Sequence, residues 1–117
     1  MGADPVSYAI AYASALAGAP IRCFAVRKES KGHGMGKRIE GSFRSGDRVV
    51  VIEDSMTTGG SALNAAAAIR AEGGKVIGAL SLVDREEGAR EALAAAGVPL
   101  VAFTTAAELK RFLPAPT

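Results

Sequence analysis

The stretch VVVIEDSMTTGGS, residues 49–61, contains the end of one predicted element and the start of the next. Its four consecutive apolar residues, Val49 to Ile52, predict a strand buried on both faces, as in a parallel sheet. The adjacent acids Glu53 and Asp54 are expected where that strand leaves the core, because carboxylates are rarely buried. The hydroxyls and glycines that follow predict a loop, and a helix is expected from Ser61. The stretch therefore predicts a strand–loop–helix unit with polar residues at the carboxyl end of the strand.

The rest of the chain alternates between strand and helix patterns in the same way. The glycine-rich, charged segment 28–41 lacks apolar periodicity and is expected to be a mobile loop. This alternation predicts one α/β domain over residues 1–117, built on a mostly parallel, doubly wound sheet. Strands are predicted at 21–26, 49–52, 76–83 and 100–103, and helices at 4–16, 61–72, 84–96 and 105–113.

Three of the predicted helices begin at capping residues. Asp4, followed by Pro5, is expected to be the N-cap of the first helix. Asp84, with Glu87 three residues later, is an acceptable start for the third helix. Residues 105–108, TAAE, match the capping-box pattern and are predicted to open the last helix.

The loop that follows Glu53 and Asp54 has the composition of a phosphate-binding site. In an open parallel sheet, ligands bind outside the carboxyl ends of the strands. Thr57, Thr58 and Ser61 supply hydroxyl donors just before a helix N-terminus, whose unpaired N–H groups suit an anion. Gly59 and Gly60 let the backbone approach that anion closely. The loop is not a Walker A sequence, because it lacks the Gly-Lys-Ser/Thr ending.

The two carboxylates before the loop indicate what else the ligand carries. Glu53 and Asp54 would repel a phosphate unless another group lay between them and it. A sugar fits, because its vicinal hydroxyls donate hydrogen bonds to carboxylates. The loop therefore predicts a ribose phosphate site; the alternative is an ordinary strand-to-helix turn with an Asp or Thr cap.

Composition and charge exclude several other classes of protein. The chain has 117 residues, 49% of them hydrophobic, and no apolar run long enough to span a bilayer. Its net charge of +2 argues against a general nucleic-acid binder. The single cysteine, Cys23, excludes an internal disulfide, and no secretory signal is visible, so a cytoplasmic location is expected. Positive charge is nevertheless concentrated in one segment, at Arg27, Lys28, Lys31, Lys37 and Arg38.

Three motifs together resemble a known family. VVVIEDSMTTGGS resembles the phosphoribosyl-diphosphate signature of type I phosphoribosyltransferases. Residues 26–41, VRKESKGHGMGKRIEG, are similar to the catalytic loop of orotate phosphoribosyltransferases, and LVDREEG, residues 82–88, is a third match. The resemblance implies a three-layer fold and transfer of the 5-phosphoribosyl group to orotate, giving orotidine 5′-phosphate and pyrophosphate. It also implies Mg²⁺ bound mainly through phosphoribosyl diphosphate, and a homodimer sharing the basic loop, with no nucleic-acid or membrane partner.

The resemblance also assigns roles to residues. Lys31 is expected to be the principal catalytic residue, assisted by His33, because cations brought to the leaving pyrophosphate stabilise its growing charge. Arg85 offers a fork of donors suited to the orotate carboxylate, and Thr57 is assigned to orotate with it. No protein side chain is expected to bind the metal directly. The residues expected to bind phosphoribosyl diphosphate are Arg27, Lys28, Lys31, His33, Glu53, Asp54, Ser55, Met56, Thr57, Thr58, Gly59, Gly60 and Ser61.

Alternatives remain open for each motif and for the whole chain. The basic segment could be a solvated charged turn and His33 a surface residue without a role, while Asp84 could cap a helix and Arg85 face solvent. The chain could be a purine-type phosphoribosyltransferase, or a catalytically silent regulatory module that binds phosphoribosyl diphosphate.

A last expectation concerns the N-terminus. Family members are longer there, so the resemblance implies that the N-terminal hood and the first core strand are missing. In the family that strand lies between those predicted at 21–26 and 49–52. These two strands should therefore pair directly or admit another chain, and the polypeptide alone should be a poor catalyst.

Overall fold

A computed structural model of the chain describes residues 3–27 and 38–113. Helices and strands alternate through most of these residues, as the sequence predicts. The elements are α1 (Asp4–Leu16), β1 (Phe24–Val26), β2 (Ile39–Gly41), β3 (Arg48–Met56), α2 (Gly60–Ala71), β4 (Lys75–Asp84), α3 (Ala89–Ala95), β5 (Leu100–Thr105) and α4 (Ala106–Lys110). No helix in the described ranges has the length and apolarity needed to cross a membrane.

A three-stranded parallel sheet in the order β3–β4–β5 forms the centre of the fold. Val51, Ala79 and Leu100 lie side by side across it and are buried. Helices α2 and α3, which connect successive strands, contact each other and the sheet. The predicted parallel α/β fold is confirmed. On the other face of β5, Val101 and Phe103 are exposed, because alternate residues of a strand point to opposite faces.

The β1 and β2 strands form a separate antiparallel ribbon. Segment 28–41 was predicted to be a loop throughout, which is wrong for its last three residues, because Ile39 pairs with Val26 and Gly41 with Phe24. Within the described ranges β1 does not pair with β3, so direct pairing of the two predicted strands is not observed. One edge of β3 therefore has no partner strand there.

The structure corrects several predicted boundaries. Strand β3 continues to Met56 rather than ending at Ile52, because its later residues stay paired with β4. The prediction that Glu53 and Asp54 follow the strand is therefore wrong; they lie inside it. Asp4 is the first residue of α1 rather than its cap, and no side chain caps that helix.

The third helix begins five residues later than predicted. Asp84 is the last residue of β4, and α3 begins at Ala89. Glu86 and Gly88 both have positive φ, which a right-handed helix does not accommodate. The N-cap of the predicted capping box is confirmed, because the Thr105 hydroxyl accepts a hydrogen bond from the Glu108 N–H at 3.2 Å.

Candidate active site at the carboxyl ends of the strands

The hydroxyl- and glycine-rich loop lies between β3 and α2, as predicted. Thr57 and Thr58 are exposed, whereas Gly59 is buried. Gly59 has φ +86°, and a Cβ built on it would lie 3.2 Å from Ala89 Cα at the start of α3. Only glycine meets both conditions, because an L side chain would be strained by the backbone angle and crowded by the neighbouring helix. The glycine thus brings the loop against the segment that follows β4.

The N-terminus of α2 is open to a ligand. Gly59 is the N-cap residue and makes no side-chain cap, so the first-turn N–H groups are left to solvent or an anion. The Leu63 N–H donates to the Gly59 carbonyl at 2.9 Å, which begins the helical hydrogen-bond pattern. Ser61 is exposed in the first turn. The helix is 12 residues long, so its dipole adds to the attraction for a phosphate.

The residues that precede this loop differ in exposure. Glu53 is half-buried and lines a cavity beside β3, whereas Asp54 and Ser55 are exposed. Met56 has a side chain that is 3% exposed and belongs to the hydrophobic core. Met56 therefore offers a ligand its backbone at most, and its carbonyl already accepts a hydrogen bond.

That hydrogen bond joins the loop to the predicted base-recognition residue. The Arg85 N–H donates to the Met56 carbonyl at 2.9 Å, linking the ends of β4 and β3. The Arg85 side chain is 58% exposed and its Nε lies 3.5 Å from Glu87 Oε2. An exposed pair at this separation contributes little, so a ligand carboxylate can compete for the guanidinium. The structure thus places the backbone of Arg85 next to Met56, where the loop leading into α2 begins.

Arg27 lies at the end of the β1–β2 ribbon, on the same cavity as Glu53. Its side chain forms an ion pair with Glu40 on the neighbouring strand. Arg38 donates from Nε to the Arg27 carbonyl at 2.9 Å and from Nη1 to Asn64 Oδ1 on α2 at 3.0 Å. These bonds tie the ribbon to the helix that begins at the candidate phosphate site.

The cavity has a volume of about 1310 Å³ and borders the edge of β3 that has no partner strand among the described residues. Residues from α1, the β1–β2 ribbon, β3 and α2 line it, and Arg27, Glu53 and Ser61 bring charge and polarity to its wall. It exceeds the roughly 300–1,000 Å³ usual for a small-molecule site. Its size therefore leaves room for more than a single small ligand.

Three of the predicted site residues fall outside the described ranges, and two residues near the site were not singled out from the sequence. Lys28, Lys31 and His33 fall outside the described residues. Sequence reasoning gave no role to Asn64, which lies three residues after Ser61 and so on the same face of α2; that spacing was the available signal. Glu86 was also missed, and its partner in the structure lies 21 residues away.

Comparison with known proteins gives consistent matches. The orotate phosphoribosyltransferase of Aquifex aeolicus is 51% identical over 109 residues, covering 93% of this chain and 60% of the relative. The structure of Mycobacterium tuberculosis orotate phosphoribosyltransferase in complex with 5-phospho-α-D-ribosyl 1-diphosphate superimposes with a TM-score of 0.80 at 44% identity, covering 93% of this chain and 60% of that one. A phosphoribosyltransferase from Corynebacterium diphtheriae gives a TM-score of 0.83 at 41% identity, covering 94% and 62%. No protein-family model matches the chain.

The parallel sheet, the loop at the start of α2 and these superpositions define a protein with the type I phosphoribosyltransferase fold. Within that class the chain is homologous to the orotate phosphoribosyltransferases over nearly all of its own length. It spans about three fifths of the length of these relatives.

Proposed function

We propose that this chain carries the site for phosphoribosyl transfer from phosphoribosyl diphosphate to orotate, a step of pyrimidine nucleotide synthesis. One observation carries the proposal: the open N-terminus of α2 and Arg85 lie at neighbouring strand ends, joined by the hydrogen bond from the Arg85 N–H to the Met56 carbonyl. A phosphate site and a carboxylate site side by side suit a ribose phosphate and a carboxylated base. The relatives at 51% and 44% identity support the same assignment.

The described residues suggest a division of roles. The first-turn N–H groups of α2, with Thr58 and Ser61, hold the 5′-phosphate. Glu53 and Asp54 accept hydrogen bonds from the ribose hydroxyls. Arg85 pairs with the orotate carboxylate, which orients the base towards the sugar, and Thr57 contributes beside it.

The basic residues act on the leaving group in this proposal. Arg27, at the end of the ribbon, and Lys28 bind the pyrophosphate. Lys31 and His33 stabilise the charge that grows on it as the bond to the sugar breaks. Lys28, Lys31 and His33 are assigned from the sequence motif alone.

Magnesium is the proposed cofactor, carried by the diphosphate oxygens, since Mg²⁺ commonly binds through substrate phosphates. Over the described ranges no group of three or more His, Cys, Asp or Glu side chains is arranged to hold a metal. The donor set at the site fits a metal that arrives with the substrate, and bound Mg²⁺ would neutralise the leaving group. A homodimer sharing the basic loop, a cytoplasmic location and the absence of nucleic-acid partners complete the proposal.

A pyrophosphate-release assay tests the function, with orotate, adenine and hypoxanthine compared and with the chain supplemented by the part of the Aquifex aeolicus relative that it does not match. Pyrophosphate release is expected with orotate and with neither purine, because Arg85 suits a carboxylate that purines lack. Release with a purine alone would replace the proposal by a purine-type enzyme. Calorimetric titration with phosphoribosyl diphosphate separates the remaining alternative, since binding without turnover on any base would indicate a silent binding module.

A further inference from the structure

Glu86 has the most unusual backbone in the loop that follows β4. Among the described residues it is the one non-glycine residue with a positive φ, +62°. L residues other than Asn and Asp rarely adopt this conformation, and it persists where surrounding contacts hold it. The contacts made by Glu86 therefore need a reason.

Two hydrogen bonds hold Glu86 in place. Its N–H donates to Asp84 Oδ1 at 2.9 Å, and Asp84 is 4% exposed at the end of β4. Its side-chain Oε1 accepts from the Ala107 N–H at 2.9 Å, in the first turn of α4. A carboxylate on the N–H groups of a helix start is a favourable, charge-assisted contact. Glu86 thus ties the loop after β4 to an element 21 residues further along the chain.

These two hydrogen bonds lie next to Arg85, the residue proposed to contact the base. Arg85 is anchored through its own N–H to Met56, and the next residue is anchored to Asp84 and Ala107. The Arg85 side chain is 58% exposed, so little packing restrains it. Apart from its exposed pair with Glu87, the guanidinium is directed by the backbone of residues 85 and 86, which these three bonds hold.

We propose that Glu86 is a positioning residue for base recognition: it holds the backbone of the loop so that Arg85 faces the carboxylate of the base. This inference rests on the proposed function, because it takes from it the role of Arg85. Glu86 itself does not contact the substrate. Its part is to keep the guanidinium oriented before the base arrives, which lowers the ordering cost of binding.

Three variants separate the hydrogen bond from the charge. Glu86→Ala removes the acceptor and the charge but keeps a side chain at the positive φ. Glu86→Gln removes the charge and keeps an oxygen that can accept from Ala107. Glu91→Gln is the matched control, because it removes the same charge from an exposed position in α3 and involves neither the three anchoring bonds nor the pair between Arg85 and Glu87.

Calorimetry with orotate and with phosphoribosyl diphosphate gives the first readout. We expect Glu86→Ala to weaken orotate binding by up to about tenfold, the effect of losing one hydrogen bond. Glu86→Gln and Glu91→Gln should bind orotate about as tightly as the unmodified chain. Phosphoribosyl diphosphate should bind equally in all. Unchanged orotate affinity in Glu86→Ala, or an equal loss in Glu86→Gln, would overturn the inference.

Amide hydrogen exchange gives a second readout that needs no ligand. The Ala107 amide should be protected in the unmodified chain and in Glu86→Gln, and should exchange faster in Glu86→Ala. Equal exchange in all three would overturn the tie itself.

Arg85→Ala distinguishes the two proposals: if it binds orotate normally, or if the unmodified chain binds no orotate, the proposed base site fails and the positioning role with it. If only the Glu86 variants behave normally, the positioning role fails alone.

Discussion

Gly59 shows how much a single position contributes to the candidate site. It combines a φ of +86° with a separation of 3.2 Å between a built Cβ and Ala89 Cα. Gly59→Ala is therefore expected to lower the free energy of unfolding by more than the roughly 1–2 kcal/mol that left-handed strain alone costs. It should also weaken phosphoribosyl diphosphate binding, because the loop must move away from α3. Chemical denaturation and calorimetry measure the two effects.

Gly46 provides the control for that substitution. It has a similar φ of +90°, and a built Cβ meets no atom within 4 Å. Gly46→Ala should therefore show the strain without the steric contact, and should leave ligand binding unchanged. If both variants lost the same stability and bound ligand alike, the contact with Ala89 would have no role.

The two substrates should depend on different residues. Asp54→Asn is expected to weaken phosphoribosyl diphosphate binding by about tenfold, because one charge-assisted hydrogen bond to the ribose is lost. Arg85→Ala should weaken orotate binding selectively, because it removes the carboxylate fork. Arg111→Ala serves as the control, because it removes the same charge at an exposed position at the end of α4. Normal orotate affinity in Arg85→Ala would remove the physical support for orotate over a purine.

At the scale of elements, hydrogen bonds to the Asp47 side chain stabilise the turn that precedes β3. The side chain of Asp47 accepts from Arg22 Nη2 at 2.6 Å and from the Arg44 N–H at 2.9 Å. The Arg22 hydrogen bond first, and the Arg44 backbone bond second, hold the pKa of Asp47 below its ordinary value. A lowered pKa in the folded state stabilises the fold at pH above about 4, and this contribution is lost as the pH falls through the lowered pKa.

The melting temperatures of Asp47→Asn and the unmodified chain are expected to differ by an amount that depends on pH. The variant should melt at a lower temperature at neutral pH, and the difference should narrow below about pH 4. Thermal unfolding followed by circular dichroism between pH 3 and pH 7 checks this. Glu72→Gln, at an exposed position after α2, controls for the loss of one negative charge. A difference that stayed constant over this pH range would contradict the assignment.

At the scale of the whole molecule, the sheet has an edge and a face that remain open in the described residues. The outer edge of β3 borders the cavity of about 1310 Å³, and Val101 and Phe103 are 60% and 68% exposed on β5. A backbone group left unpaired and dry costs roughly 1–3 kcal/mol, so an open edge is stable only while it is wet or covered. We therefore expect the isolated chain to be a poor catalyst.

Adding a partner polypeptide tests this expectation. The polypeptide would be the part of the Aquifex aeolicus relative that this chain does not match, supplied separately. It should raise both the melting temperature and pyrophosphate release. The same polypeptide with prolines in its apolar segments is the control, since proline cannot donate to a strand pairing. Efficient orotidine 5′-phosphate synthesis by the isolated chain would refute the expectation.

Features that depend on neighbours in sequence were predictable. The capping box at Thr105 and Glu108 joins residues three apart, so its geometry follows from a short motif. The core of β3 and the glycine-rich loop before α2 were likewise visible, because hydrophobic runs and glycines act locally. The sequence by itself therefore determined the class of fold and the strand–loop–helix unit on which the candidate site is proposed.

The tertiary structure decided what depends on distant partners. Strand β3 extends through Glu53 and Asp54 because β4 continues beside it, and β2 exists because it pairs with β1. Gly59 meets Ala89, and Glu86 meets Ala107, across intervals that no local pattern encodes. Hydrogen bonds and packing between segments far apart in the chain form only once the sheet brings those segments together. For that reason the site's residue types could be predicted from the sequence, whereas the contacts that orient them could not.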